Sequence, residues 1–354
     1  KQARELCGLN QTELAIKIGV TQPAIALIES NRFTPTDDVL NQIAFQTGFP
    51  VSFFKREQTI DIPLGSLLFR AKMKASVKEK TQAYRYAQTV YEIVESMMAH
   101  IKPIPVRLPM LDENPIEAAR LTRSSLGLAP DKPIVNLIQT LERAGVIILA
   151  IPFRSELINA FSFWVNNSRP VIVITDGWPG DNLRFSIAHE TAHLVLHSSA
   201  RGNGQNLEDE AFEFTGEFLM PENAMRDEMA PPLKLSDIAD LKSRWGVSMQ
   251  ALIVRADRLN IITKRQYKYL FQQIGNKGWR RDEPIKIPVE KPRLLSQIAE
   301  MIYGVPVNPK RIAHDLNIPI YVVEQTLLRY QSKGKSMDKS ISQGKVLTFP
   351  GVPK

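Results

Sequence analysis

Apolar positions recur at helical spacing along most of this chain and at strand spacing over one short stretch. In "LNQTELAIKIGVTQPAIALIESNRFTP", residues 9–35, Leu14, Ala15, Ile18, Val20, Ile25 and Ile28 follow the helical period, broken once at Gly19. The pattern predicts a helix over Gln11–Ile18 and a turn at Gly19, where a positive φ is cheap. A second helix, capped by Thr21, runs to about Glu29. Small Ala15 lets the two helices approach closely. A third helix over about Thr36–Thr47 and the segment "GFPVSFF" close a small bundle.

Further along, Tyr84, Ala87, Val90, Tyr91, Val94, Met97 and Met98 predict one amphipathic helix over about Val77–His100. Pro103 and Pro105 stop it, and His100 near its end suits a helix C-terminus. "NPIEAARLTRSSLGL" and "PIVNLIQTLERAG" read as helices, the second ending at Gly145. "VIILAIP" reads as a strand, and "AFSFWV", "NNSRP" and "VIVIT" as a hairpin. "DNLRFSIAHETAHLVLH" returns to the helical pattern, with Asp181 or Asn182 as its cap.

Residues 235–270 hold two helices in a helix-turn-helix-like order. "NPKRIAHDLNIPIYVVEQTLLRY" repeats the spacing of the N-terminal motif: Ala313 falls on Ala15, Asn317 on Gly19, Ile318 on Val20 and Val323 on Ile25. Asn is second only to Gly at a turn of positive φ. His314 then sits on an exposed helix face. "SKGKSMDKSISQGKV" has no apolar period and reads as a mobile tail. The expected fold is mainly α with a small antiparallel sheet, an α+β class. The expected division is 1–57, a helix-turn-helix; 58–110, a linker and long helix; 111–230, a mixed domain; 231–290, a helical extension; 291–335, a second helix-turn-helix-like module; and 336–354, the tail.

The length of 354 residues exceeds one domain by the usual measure, and 44% hydrophobic residues suit a chain that buries sizeable cores. No apolar run approaches the roughly 20 residues that cross a bilayer. The opening "KQARELCGLN" lacks the apolar core of a signal peptide. It starts at Lys1 rather than Met, so native residues are expected upstream. Cys7, the single cysteine, excludes an internal disulfide and a cysteine-rich zinc site. A cytoplasmic location without membrane contact is the expectation.

The net charge of +8 is unevenly spread: 0 over residues 1–57, +4 over 58–110, −8 over 111–230 and +12 over 231–354. An acidic middle beside a basic tail is the asymmetry of a chain with a polyanionic partner, although lysines that solubilise a helical tail give the same count. Trp245, Tyr267, Tyr269, Phe271 and Trp279 interleave with that charge. They are compatible with a surface for single-stranded DNA, or with an ordinary core.

Residues 1–56 resemble the XRE-type helix-turn-helix of phage-repressor-like regulators. The resemblance implies double-stranded DNA as a partner of 1–57, with the second helix in the major groove. It places Gln11 on a phosphate, and Thr21, Gln22 and residue 23 near base edges. Arg32, just past the second helix, completes the DNA-contact set. Position 23 is Pro, which suits a first helical turn but offers no side-chain hydrogen bond. A net-neutral module also gains little from counterion release. The alternative is a bundle for dimerisation or protein contact. The helix over 77–100 serves equally as a spacer or a dimer seam, so a homodimer is allowed.

Three of the five histidines fall within "AHETAHLVLH", residues 188–197. Residues four apart on a helix differ by about 40° in azimuth and about 6 Å in rise. His189 and His193 can therefore present two imidazoles to one metal ion. Glu190 sits beside them, close enough to polarise a water at the metal. This is the H-E-x-x-H pattern of zinc hydrolases, in which Zn²⁺ brings the water's pKa to about 7 and polarises a scissile carbonyl. A catalytic zinc needs a third protein ligand, and His197 and the acidic segment "LEDEAFEFTGEFLMP" are the candidates. A rigid helix carries His197 about 6 Å past His193, so it joins the site only through a chain break. A glutamate on a second helix has the better geometry. Glu208, Asp209 and Glu210 open such a helix, and Ala211, Phe212, Phe214 and Phe218 can pack it against the first.

"RFSIAHETAHLVLH" followed by "EDEAFEFTGEFLMP" resembles the ImmA/IrrE metallopeptidases, over about residues 115–225. That family shows R-F-x-x-A-H-E-x-x-H-x-x-x-H and then E-x-E-A-N-x-F-A-x-x-L-L-M-P. Register on "LMP" makes Glu208 the third metal ligand beside His189 and His193, and Glu190 the catalytic base. Phe212 stands where the family has Asn, so a hydrogen bond behind a ligand is expected to be missing. "HETAH" replaces the commoner "HELGH", with a small Ala192 that is harmless.

The resemblance implies 111–230 as an ImmA/IrrE-like zinc peptidase domain in a stress- or phage-linked DNA-binding regulator. It further implies that the enzyme cuts a partner repressor or antitoxin, with single-stranded DNA as one proposed trigger. A substrate segment can dock by edge pairing on the hairpin strand "FSFWV". The alternative is a transcriptional regulator or antitoxin in which the peptidase fold is a non-cleaving sensor or interaction platform.

Overall fold

A computed structural model describes residues 1–56, 75–197 and 204–330. Residues 57–74 and 198–203 lie outside the described residues, as does everything from Gln331 onward, the expected tail included.

The N-terminal bundle holds α1 (Gln2–Leu6), α2 (Gln11–Ile18), α3 (Gln22–Glu29), α4 (Asp37–Thr47) and α5 (Val51–Lys55). Gly19 makes the α2–α3 turn at φ +70°, and Thr21 caps α3 by accepting from the Ala24 N–H. The α2–α3 pair has its own small core of Leu14, Ala15 and Ile25. Helix α1 belongs to the body instead: Ala3 and Leu6 join the main core. It lies against α6 (Val77–Met98), where Arg85 pairs with Glu5 at 2.6 Å and Gln2 donates to Thr89 at 3.1 Å.

Two helices, α7 (Pro115–Ser125) and α8 (Leu137–Arg143), lead into strands β1 (Ile147–Arg154), β2 (Ala160–Val165) and β3 (Arg169–Asp176). The sheet order is β1-β3-β2. β2 pairs antiparallel with β3 from Ala160–Ile174 to Val165–Arg169, through a turn in which Asn166 and Asn167 both take φ +49°. β1, however, runs parallel to β3, with Ile147 opposite Val171. The α+β, mainly helical class holds, but the sheet is mixed rather than antiparallel. β2 follows β1 in sequence yet sits on the far side of β3, so β1 and β3 point the same way. Both are nearly continuous buried apolar runs, the pattern of strands covered on both faces. The outer edge of β1 is closed by Tyr330, whose hydroxyl accepts from the Ala150 N–H at 2.9 Å and donates to the Ile148 carbonyl at 3.1 Å. β2 is the other edge.

Helix α9 (Gly180–Leu196) packs on β2 and β3, and α10 (Gly204–Leu219) packs across α9 and α7. α9 is buried on nearly every side, which fits its apolar flanks. It starts at Gly180 behind Pro179, not at Asp181 or Asn182 as its polar residues suggest. The reason is tertiary: an extended strap over residues 284–293 crosses the helix start, and a Cβ on Gly180 would stand 2.3 Å from the Ile287 carbonyl oxygen. Two glutamates hold the strap's ends. Glu283 accepts from Lys242 Nζ at 2.6 Å and the Met249 N–H at 2.8 Å, and Glu290 pairs with Arg184 and accepts from the Ile138 N–H at 2.8 Å.

The remaining described helices are α11 (Glu222–Glu228), α12 (Leu235–Trp245), α13 (Met249–Arg258), α14 (Lys264–Asn276), α15 (Leu294–Tyr303), α16 (Pro309–Asp315) and α17 (Ile320–Tyr330). Asn317 turns the chain between α16 and α17 at φ +52°.

Candidate metal centre

His189 and His193 lie one turn apart on α9, and α10 brings Glu208 over them. Ala211, Phe214 and Phe218 are fully buried between the two helices. Lower on α10, Glu217 fixes the helix by accepting from Arg120 Nε at 2.9 Å, from the Glu222 N–H at 3.2 Å and from Arg255.

The three side chains point at one spot. His189 Nε2 is 3.2 Å from Glu208 Oε2, His193 Nε2 is 3.3 Å from Glu208 Oε1, and the two Nε2 atoms are 3.2 Å apart. Donors of a tetrahedral zinc, each about 2.0–2.1 Å from the ion, stand roughly 3.3–3.4 Å from one another. The spacing and the two-nitrogen, one-oxygen donor set therefore fit one such ion. The two facing rings of His189 and His193 hold the Glu208 carboxyl well below the usual carboxylate range, against the opposing effect of burial. An ionised carboxylate is the form that ligates.

Glu190 is buried, and Ser162 on β2 donates its hydroxyl to Glu190 Oε2 at 2.7 Å. Glu190 lines a cavity of about 360 Å³ together with His189 and Glu208, with apolar walls from Phe185, Phe212 and Ala160. The Phe212 ring lies 4.8 Å from the His189 ring. His189 Nδ1 is buried and has no hydrogen-bond partner among the described residues. The absent hydrogen bond expected from phenylalanine at 212 is thus visible.

His197 is placed differently from the two simple options in the sequence. The helix ends at Leu196, and His197 leaves helical geometry at φ −120°, ψ 23°. This chain break turns its ring back onto His193, on the side away from the three converging atoms: the two Nδ1 atoms are 2.9 Å apart, and His197 Nε2 meets Glu210 Oε2 at 2.8 Å. Ser162 and the pairing of His197 with Glu210 escaped the sequence reading. The i, i+4 spacing of His193 and His197 was the available signal for the second, and nothing local marks the first.

Residues 141–257 match a peptidase family model described as the IrrE N-terminal-like domain. The chain carries an IrrE-like domain. Residues 1–53 match the helix-turn-helix model. No curated protein matches the chain. The peptidase family suggests a metal, usually zinc, and the His189–His193–Glu208 group is where the structure offers one.

In the helix-turn-helix, side chains form one chain of contacts. Arg4 grips Glu29 through two nitrogens at 2.7 and 2.9 Å, Gln11 donates to Glu29 at 2.9 Å, and Gln22 donates to Gln11 at 2.7 Å. Burial would raise the Glu29 carboxyl, but the hydrogen bonds from Arg4 and Gln11 hold it well below the usual carboxylate range. Gln22 and Thr21 are exposed at the start of α3, where Pro23 fills the first turn. Arg32 is exposed in the loop beyond α3 and makes no side-chain contact with this group.

Of the aromatics named above in the basic region, Trp245 is fully buried, and Tyr267, Phe271 and Trp279 are partly buried and pack against the core. Tyr269 is exposed. Among the described residues no helix is long and apolar enough to cross a membrane.

Proposed function

We propose that this protein is a DNA-binding regulator whose IrrE-like domain is a zinc endopeptidase acting on a partner repressor or antitoxin. The convergence of His189, His193 and Glu208 beside Glu190, on one cavity, carries the reading. His189, His193 and Glu208 hold the ion. When bound, it supplies Lewis acidity toward water and the scissile carbonyl. Glu190 takes the proton of the attacking water and passes it to the leaving amine. Ser162, bonded to one Glu190 oxygen, holds the carboxylate in orientation. The substrate's main chain pairs with the free edge of β2, and Phe185 and Phe212 shield the reacting centre from bulk water. Slowed amide exchange over 160–165 on binding a partner checks the docking. Charged substitutions at 161–163 or 165 would not, because those side chains are buried. The module at 1–57, with Gln11, Thr21, Gln22 and Arg32, brings the peptidase to an operator.

The test is Glu190→Gln. Zinc stays near one per chain, while cleavage falls by a factor on the order of 10²–10⁴. Purified protein is incubated with a cell extract and new protein N-termini are sequenced. Wild type produces one or a few, and the variant or chelated protein produces none. Identical N-termini from both would leave the domain as a non-cleaving sensor.

A further inference from the structure

We infer that His197 and Glu210 are positioning residues that fix the tautomer and ring orientation of His193 as a metal ligand. The inference rests on reading His189, His193 and Glu208 as the ligands. A neutral imidazole has one donor and one acceptor nitrogen. For His193 Nε2 to offer a lone pair beside Glu208, its proton must sit on Nδ1. That nitrogen faces His197 Nδ1 at 2.9 Å, which must then accept. His197 therefore carries its own proton on Nε2, where Glu210 accepts it at 2.8 Å. One proton arrangement satisfies the whole line from Glu210 to the converging atoms with both rings neutral. The line is anchored by charge at its outer end, since Glu210 as a carboxylate can only accept.

Burial makes this arrangement consequential. The His193 and His197 side chains are 2% and 3% exposed, so water does not substitute for either partner. His189 is the internal contrast: its Nδ1 is buried without a partner among the described residues, and its ring rests on Phe212. The outer support of the site is thus one-sided, and His193 is the ligand that depends on it. Polar partners behind a histidine ligand commonly carry about 10–100-fold in metal affinity.

The experiment measures Zn²⁺ affinity of the full chain by competition with a chromophoric chelator, and the visible absorption of the Co²⁺-loaded protein. His197→Phe removes the acceptor and is expected to weaken Zn²⁺ binding about 10–100-fold and to alter the Co²⁺ spectrum. His197→Asn places Oδ1 where Nδ1 stood and is expected to recover most of that loss, which a purely packing role would not give. Glu210→Ala, at a half-exposed side chain, is expected to weaken binding several-fold. His197→Phe folded and within twofold of wild type, or His197→Asn as weak as His197→Phe, overturns the inference. If His197→Phe does not fold, an unchanged affinity in Glu210→Ala overturns it. A wild-type chain that binds no Zn²⁺ overturns instead the reading of the metal site itself.

Discussion

In the N-terminal bundle, Glu29 sits between Arg4 and Gln11. In the IrrE-like domain, Glu208 meets two imidazoles at 3.2 and 3.3 Å. Both carboxyls are held below their ordinary range. The first is matched by a permanent guanidinium charge and needs nothing more, so the contact is structural. The second faces neutral-capable nitrogens that converge with it on one point, a donor arrangement that fits a cation. The surroundings differ in the same sense. The α2–α3 pair rests on three buried residues and presents Thr21 and Gln22 outward, whereas α9 is sunk in the main core and presents its polar groups to a cavity. A surface reader needs an exposed first turn. A hydrolytic site needs polar groups held rigidly away from bulk water.

The largest effect expected from this contrast is in Glu208→Ala. Zinc content should drop from near one per chain to near none, while Glu29→Gln leaves it unchanged. Elemental analysis after dialysis decides, and full zinc in Glu208→Ala would erase the distinction.

Next is Arg4→Ala, which leaves Glu29 buried without its charge partner. Breaking such a pair costs roughly 3–5 kcal/mol. Hydrogen exchange should show the loss in the α2–α3 amides and not in α9. DNA affinity should fall with zinc affinity intact.

A pH titration separates the two halves further. The Glu29 carboxyl is held in the folded chain well below its ordinary 4.5. Its contribution is therefore complete above about pH 4.5 and is lost as pH falls through the depressed value. Zinc-free protein followed by exchange of the bundle amides should show this acid loss, and Glu29→Gln should flatten it.

The smallest effect is a gain. Phe212→Asn offers a hydrogen bond to His189 Nδ1, and one net hydrogen bond of about 0.5–1.5 kcal/mol corresponds to roughly two- to tenfold tighter zinc. Unchanged affinity would mean that the Phe212 ring already holds His189 as well as a polar partner would.

Much of the architecture was legible because it is local. The ends of α2 and α3, the hairpin with its Asn166–Asn167 turn and the His189–His193 pair all follow from spacings of two, three or four residues and from caps within one turn. The order β1-β3-β2 was not legible, since "VIILAIP" and "VIVIT" fix strands but not their neighbours. The start of α9 was misplaced because the strap that closes it comes about a hundred residues later, with Ile287 over Gly180.

The sequence by itself determined that two imidazoles and a glutamate share one helix, since the helical period allows His189 and His193 no other relation. Only the tertiary structure decided what lies behind them. Ser162 reaches Glu190 from a strand 28 residues away, and Glu210 reaches His197 from α10. His189 Nδ1 is left facing apolar surroundings. The helical period fixes directions within one element. Which hydrogen-bond partner fills the space behind a ring is set by how separate elements pack, and burial then makes that choice binding because water cannot replace it.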